Sequence, residues 1–406
     1  MIKKLPNFII KCSLFLFGMG FFIFPRTIHA QTSLSFDGSN DYIQTPFTGV
    51  LGDNDRTFEA WIYVSSSAPS SNLAILDYGH NDVGDRNTFV VGGDRSLKYI
   101  SGGTNANITT AANVIPTATW THVAFVLDNS IGYLYVNGAQ EGTGSLSTVN
   151  TTSGFGNLRI GQRVTGGSIP FNGLIDDVRV WNVARTDTEI QSAMYVEMCA
   201  NTLNLVANYQ LNEGTAGSDN TGITAVIDLV EGNDGVLNNF ALTGTTSNYV
   251  EGAPFITLEE TTLTAFQADA SYQWIDCDNG GAYIDGATEQ SFTPEVAGTY
   301  AVEITLDGCM TTSECMEVTS LGIDTSVIDG IKVYPNPTSD FVTISLNEIN
   351  NYKVTLVTIT GQIIGTYSDN QSRELSIDLQ DNKSGIYFLN IEVDGIQTKT
   401  IKIVRI

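Results

Sequence analysis

Basic side chains are scarce in this sequence: 19 Lys and Arg stand against 44 Asp and Glu in 406 residues. A surface so acidic repels phosphate backbones, which excludes nucleic acid as a partner. Histidine is scarcer still, with three in the chain, one of them His29 near the start. No Gly-x-Ser-x-Gly occurs either, so serine- or cysteine-type hydrolysis lacks its usual parts. Beyond the N-terminus no apolar run is long enough to read as a membrane-spanning helix. Neither a Cys-x-x-Cys nor a close His pair suggests zinc.

What the sequence does contain begins with an address. Lys3 and Lys4 precede an apolar run from Leu14 to Phe24, and Ile28-His29-Ala30 ends in a small residue. That order predicts an export leader over residues 1–30, cleaved after Ala30. The leader carries four of the nineteen bases and no acid, so fifteen bases and forty-four acids remain, a formal charge of −29. Cys12 would leave with it. Cys199, Cys277, Cys309 and Cys315 remain, and four cysteines in an exported chain favour two disulfides. Three pairings are open; a bridge inside the segment holding the last three is preferred.

Short alternating segments follow, each bounded by Gly, Asn, Asp or Pro, the rhythm of an antiparallel β-sandwich. Ser35–Ile43 reads SFDGSNDYI around a tight turn, and Gly173–Asn182 reads GLIDDVRVWN with a half-buried alternation. Between them come FEAWIYV, WTHVAFVLD, YLYVNG and LRIGQ. In this order the six phrases resemble the laminin-G-like, concanavalin A-like jelly-roll family over roughly residues 33–200. Residues 31–254 are read as that domain. Its end is unusual, because NYQLNEG at 208–214 and DLVEGNDGVL at 228–237 resemble phrases that open such a domain. They are read as opening strands supplied from the end, since a lone half repeat would leave sheet edges open. A short helix is expected from Asp187 to Met198, capped by Thr186 with Glu189 completing a capping box.

Residues 255–320 resemble the immunoglobulin-like modules of bacterial surface proteins, with Trp274 and Tyr300 as core residues and a spacer role. A linker is expected at 321–330. Residues 331–406 resemble the C-terminal sorting domain of the type IX secretion system, on VYPNPTSD, GIYFL and a last strand with alternating Lys or Arg. Seven of the fifteen remaining bases lie here: Lys332, Lys353, Arg373, Lys383, Lys399, Lys402 and Arg405. The fold class is therefore all-β: a jelly-roll sandwich, a small immunoglobulin-like sandwich and a C-terminal β-sandwich.

The jelly-roll resemblance implies a structural calcium tying the first turn to a late strand. Asp37 and Asp176 would give side-chain ligands, and Gly38 and Asn40 carbonyls; Asp41 is a further acid in the turn. Oxygen donors of this kind suit a hard cation. A glucanase would need two carboxylates about 5–9 Å apart, commonly at alternating strand positions. No such cluster occurs, and the adjacent Asp176 and Asp177 are expected to point to opposite faces. Trp61, Trp120, Trp181 and Trp274 all sit in strand phrases and read as core. His122 reads as a packed structural residue. The ligand candidates are then Tyr78, His80, Arg95 and Tyr99, with Phe89, in the variable 77–100 region. The expected protein is a secreted or surface adhesion protein recognising glycan or matrix, with the type IX machinery as a second partner and outer-membrane attachment as one fate. The alternatives are a glycoside hydrolase or degradation accessory, and sugar-free protein adhesion.

Overall fold

The computed structural model describes residues 31–102, 107–154, 156–319, 331–393 and 396–406. The expected leader and the linker at 321–330 lie outside these described residues. The first domain holds sixteen strands: β1 (Thr32–Asp37), β2 (Tyr42–Gln44), β3 (Arg56–Val64), β4 (Leu73–Tyr78), β5 (Asn87–Val91), β6 (Leu97–Ile100), β7 (Asn107–Thr109) and β8 (Trp120–Asp128) come first. They are followed by β9 (Ile131–Val136), β10 (Ala139–Ser145), β11 (Arg159–Ile160), β12 (Asn172–Trp181), β13 (Leu205–Tyr209), β14 (Ala225–Val226), β15 (Gly235–Asn238) and β16 (Tyr249–Glu251).

They form two eight-stranded antiparallel sheets. The first runs β10-β9-β8-β3-β12-β1-β16, with β13 also on β12; the second runs β14-β15-β2-β11-β4-β5-β6-β7. Inward-facing residues of both sheets meet in one core, including Leu34, Phe58, Phe89, Phe125, Ile175 and Val178. Each such side chain, fully removed from water, contributes about 1.5–3 kcal/mol. Residues 205–251 do not stand apart. β13 and β16 extend the first sheet, and β15 pairs with β2 at the edge of the second, so the late phrases complete the sandwich begun at Thr32.

The outer face of the first sheet is covered. Thr186 caps a helix, α1 (Asp187–Gln191), and Glu189 closes the capping box as the sequence suggests, but the helix ends seven residues earlier than expected. Ile190 of α1 packs on Ala124, Val126 and Tyr135. The chain after it crosses β3 and β12, where Trp61 Nε1 donates to Met194 O at 2.8 Å. Arg179 Nη1 and Nη2 donate to Ala193 O and Val196 O. His122 Nε2 lies 3.5 Å from Glu59 Oε2, and Arg185 donates to Glu59 Oε1 at 2.6 Å. Burial would raise the Glu59 carboxyl, but the Arg185 charge, a hydrogen bond with His122 and the Arg179 charge together hold it far below its ordinary range.

The module at 255–319, expected from sequence to be immunoglobulin-like, also belongs to this covered face. Its core residues Phe255, Trp274, Val302 and Ile304 share one cluster with Trp181, Ala193, Val196, Met198 and Leu205 of the jelly roll. Cys199–Cys309 bridges module and jelly roll, while Cys277–Cys315 lies inside the module. The preferred internal bridge is thus present, joined by a second that fixes the module to its neighbour. The last domain has its own core, with Val342, Ile344, Leu356, Leu389 and Ile403.

Candidate functional site

With one sheet's outer face covered, a ligand has the other. Along that face the register sets Gln44, Arg159, Asp77, Thr88 and Ile100 in one row across β2, β11, β4, β5 and β6. Their neighbours Ile43, Ile160, Leu76, Phe89 and Tyr99 are in the core. The loop between β11 and β12 folds back over part of this row. Ala74 N donates to Ile169 O at 3.0 Å, and Val164 N donates to Asp77 Oδ2 at 2.6 Å. Arg86 Nη2 donates to Thr165 O at 2.8 Å. Gly166 makes the close approach possible: its φ is +78°, and a Cβ there would stand 2.6 Å from Arg86 Nη2.

Beside the loop is a concavity of about 320 Å³, lined by Tyr42, Arg159, Gln162, Arg163, Ser168 and Asn239 among others. Arg159 Cζ lies 4.2 Å from the Tyr42 ring centroid, and its Nε donates to Gln44 Oε1 at 3.0 Å. Arg159 Nη1 donates to Arg163 O at 3.0 Å, tying strand to loop. Beneath, burial pushes the Asp77 carboxyl up to about 6 even though it accepts from Thr88 and Val164. Burial, and then the nearby Arg163 charge, lower the Arg86 guanidinium from its ordinary value. The site is an open, polar concavity lined by an aromatic ring, amide groups and two guanidinium groups, Arg159 and Arg163, with Arg86 buried beneath the loop, suited to binding a polyhydroxylated ligand.

The residues expected from sequence fall in several places. Tyr78 and Tyr99 are corrected: both are fully buried in the core. Tyr78 Oη is held by Arg56 Nη1, and Tyr99 donates to Asn87 Oδ1 and stacks on Phe125 at 3.8 Å. Phe89 is likewise core. Arg95 turns away, donating to Ala68 O at 2.7 Å. His80 stays at the surface beside Asp82 at 2.8 Å. Its neighbour Asn81 approaches Gly166, so His80 lies near the loop's rim. Arg86, Arg159 and Arg163 were missed. The signal available was scarcity: few bases occur, and two of these stand four apart in LRIGQR.

The calcium set does not converge. Asp37 pairs with Asn172 and Leu34 with Ile175, so Asp176 lies four residues further along β12 than the partner of Asp37. At strand rise this separates them by roughly 13 Å. Asp37 caps its own turn, accepting from Ser39 N at 2.7 Å. The Asn40 carbonyl accepts from Asn239 at 2.8 Å, and Gly38 packs against the Asn172 side chain with φ +81°. Asp176 is buried, accepting from Ala253 N at 2.9 Å and from Gln31 Nε2 at 3.4 Å. Its Oδ1 and the Gln31 Oε1 have no donor. That half of the set has oxygen acceptors of the kind a hard cation takes; Asp37, Gly38 and Asn40 do not join it. Among the described residues no group of three His, Cys, Asp or Glu is assembled for a metal. The adjacent acids also depart from simple alternation. A bulge between Asp176 and Arg179, with Asp177 at φ +46°, turns Asp177 onto the Arg179 guanidinium.

Comparison with known proteins places these domains. Residues 37–191 match the family described as the concanavalin A-like lectin/glucanases superfamily, and residues 332–405 match the secretion system C-terminal sorting domain. A curated relative, ulvan lyase NLR42 of Nonlabens ulvanivorans, is 37% identical over 90 residues, which is 21% of this chain and 17% of that protein. Among solved structures, a protein from Bacteroides ovatus assigned to carbohydrate binding aligns with TM-score 0.41 and 24% identity, over 52% of this chain and 58% of that one. The Ruminococcus gnavus sialidase module CBM40 bound to α2,3-sialyllactose aligns with TM-score 0.34 and 14% identity, over 39% and 94% of the two chains. No described helix is long and apolar enough to cross a membrane. The chain thus carries a concanavalin A-like jelly-roll domain and a type IX sorting domain, which directs it out of the cell, to the surface or into the medium.

Proposed function

We propose that this protein is an extracellular glycan-binding protein whose ligand docks on the outer face of the second sheet, beside the 161–171 loop. The observation that carries this reading is the division of labour between the sheets. The first is capped by α1, the 191–198 segment and the module, while the second keeps an open polar concavity beside the Tyr42 ring. A flat aromatic ring among amide, hydroxyl and guanidinium groups matches the apolar faces and hydroxyl edges of sugars. The family resemblance of the domain supports the same class, as does the relative that acts on ulvan. The reading is binding without turnover: Asp77, the carboxylate under the loop, has both oxygens engaged by Thr88 and Val164. Calcium would be structural here, held from Asp176 and Gln31 on the far sheet. The test is a glycan array probed with the purified protein and with Tyr42→Ala. Binding to a defined set of glycans, lost or weakened in Tyr42→Ala, supports the reading; binding to none, or binding untouched by that change, overturns it.

A further inference from the structure

The charge class of the ligand can be read from where the few bases lie, given that the 161–171 face is the glycan site. Between Gln31 and Pro254 there are eight Lys and Arg. Three are paired with acids: Arg179 with Asp177, Arg185 with Glu59, and Lys98 with Asp94. Arg56 is buried and donates to Val50 O, Asn87 and Thr151, and Arg95 donates to Ala68 O. The other three, Arg86, Arg159 and Arg163, meet at the loop, and among the described residues none of them forms an ion pair.

Their arrangement is costly without an anion. Arg86 is 5% exposed, and its Nε is buried with no acceptor. Arg163 Nε is buried with no acceptor as well. Among the described residues, the hydrogen bonds of the three guanidinium groups go to neutral partners: Thr165, Gly166 and Arg163 carbonyls, the Thr165 hydroxyl and the Gln44 amide. A buried guanidinium satisfied only in part by neutral oxygens carries an uncompensated desolvation cost. Asp77 is the carboxylate that acts on both Arg86 and Arg163, and its oxygens already serve Thr88 and Val164. Five of the eight bases have no acid partner; Arg56 and Arg95 stand elsewhere, the latter with its Nη1 also lacking an acceptor, and the gathering of the other three at one loop points them at an outside anion. Planar guanidinium forks match carboxylate and sulfate oxygens in two-point contacts.

We propose that Arg86, Arg159 and Arg163 form an anion subsite, so that the protein selects acidic glycans carrying a uronate carboxylate or a sulfate ester. The acidic group docks against Arg163 and Arg159 at the concavity, backed by Arg86, while the sugar ring lies along Tyr42.

The experiment compares matched pairs by calorimetry on the purified protein. One arm uses tetragalacturonate and its methyl ester. The other uses a sulfated galacto-oligosaccharide and its desulfated form. Wild-type protein is expected to bind at least one acidic member about tenfold or more tightly than its neutral counterpart, the scale of a charge-assisted contact. Arg159→Gln and Arg163→Gln are each expected to weaken that binding about tenfold, with melting temperature retained; Arg95→Gln, a base outside the site, is expected to leave it unchanged. Which arm responds identifies carboxylate or sulfate. Equal binding of acidic and neutral members, or unchanged binding in both arginine variants, overturns the anion subsite. Binding restricted to neutral sugars overturns it too, and leaves the glycan reading standing. Binding to no glycan at all overturns both.

Discussion

Replacing Arg179 by Met tests how the segment after α1 is held on the first sheet. Arg179 and Asp177 are both 1% exposed. Arg179 Nε donates to Asp177 Oδ1 at 3.0 Å, Nη2 to Asp177 Oδ2, Nη1 to Ala193 O at 3.0 Å, and Nη2 to Val196 O at 2.5 Å. Met fills similar space and supplies no donor. The change leaves one buried carboxylate unpaired and two carbonyls of the 191–198 segment unsatisfied. Removing one partner of a buried pair costs about 3–5 kcal/mol. At roughly 2–4 °C per kcal/mol for a domain of this size, the jelly-roll transition should fall by about 6–20 °C. Differential scanning calorimetry measures it, and the transition of the separately cored sorting domain serves as an internal reference. Arg179→Met with Asp177→Asn should recover part of the loss, because it no longer leaves a lone buried charge. A fall below about 2 °C, or a double variant no more stable than the single, would refute the view that this pair clamps the segment.

Three further outcomes are expected. Asp77 keeps its proton up to about pH 6 in the fold but releases it near 3.8 when unfolded. The folded state then binds this proton more tightly between those values, so the Asp77 contribution to stability is greatest below about pH 4, falls as pH rises to about 6, and levels off above. Urea titrations across that window should show a fall in wild type that exceeds the fall in Asp77→Asn by at most about 3 kcal/mol, the variant's remaining fall coming from other buried acids such as Asp41 and Glu197. Cys199→Ser with Cys309→Ser opens a bridge spanning 110 residues; the loss should approach 4–5 kcal/mol at most by the roughly logarithmic loop dependence, and the 199–205 connection should become protease-sensitive. Calcium restored after chelation should raise the melting temperature of wild type and leave Asp176→Asn unmoved; equal shifts in both would place the metal elsewhere.

The elements most legible in the sequence were those whose pattern is local. FEAWIYV and WTHVAFVLD are short apolar runs bounded by polar residues, and they pair as β3 and β8 through eight residues. The capping box at Thr186 and Glu189 needs three residues of context and appears as read. Trp61, Trp181 and Trp274 are buried, as their place in strand phrases implies. What was hidden depends on register or on chain folded back from afar. Asp77-Tyr78-Gly79-His80 looks like a polar loop, yet Tyr78 is the last residue of β4 and faces inward. The Asp37–Asp176 pairing fails by four positions of register, which no composition encodes. The bulge at Asp177 interrupts alternation in a phrase that reads as regular strand. Arg86 is 77 residues from Arg163 in the chain, and the two act on each other only because the 161–171 loop folds across the sheet.

The covered sheet also changes what the immunoglobulin-like module is for. A spacer would touch its neighbour through a linker and leave both cores closed. Here Trp181, Val196 and Leu205 of the jelly roll join Trp274 and Val302 of the module in one cluster, with Cys199–Cys309 across the seam. From Thr186 to Ile331 there is no Lys, Arg or His, so the segment and the module that cap the first sheet carry acids without bases of their own. The jelly roll's Arg179 and Arg185 reach out to hold that segment. Those two arginines are spent on assembly, and Arg86, Arg159 and Arg163 are left on the opposite sheet. An acidic cap on one face and unpaired guanidinium groups on the other give the pair of domains a polarity along the sandwich axis. On the proposed reading, an anionic glycan would be repelled by the capped side and drawn to the loop, so charge would orient docking before contact. The sorting domain keeps a core of its own, apart from this arrangement.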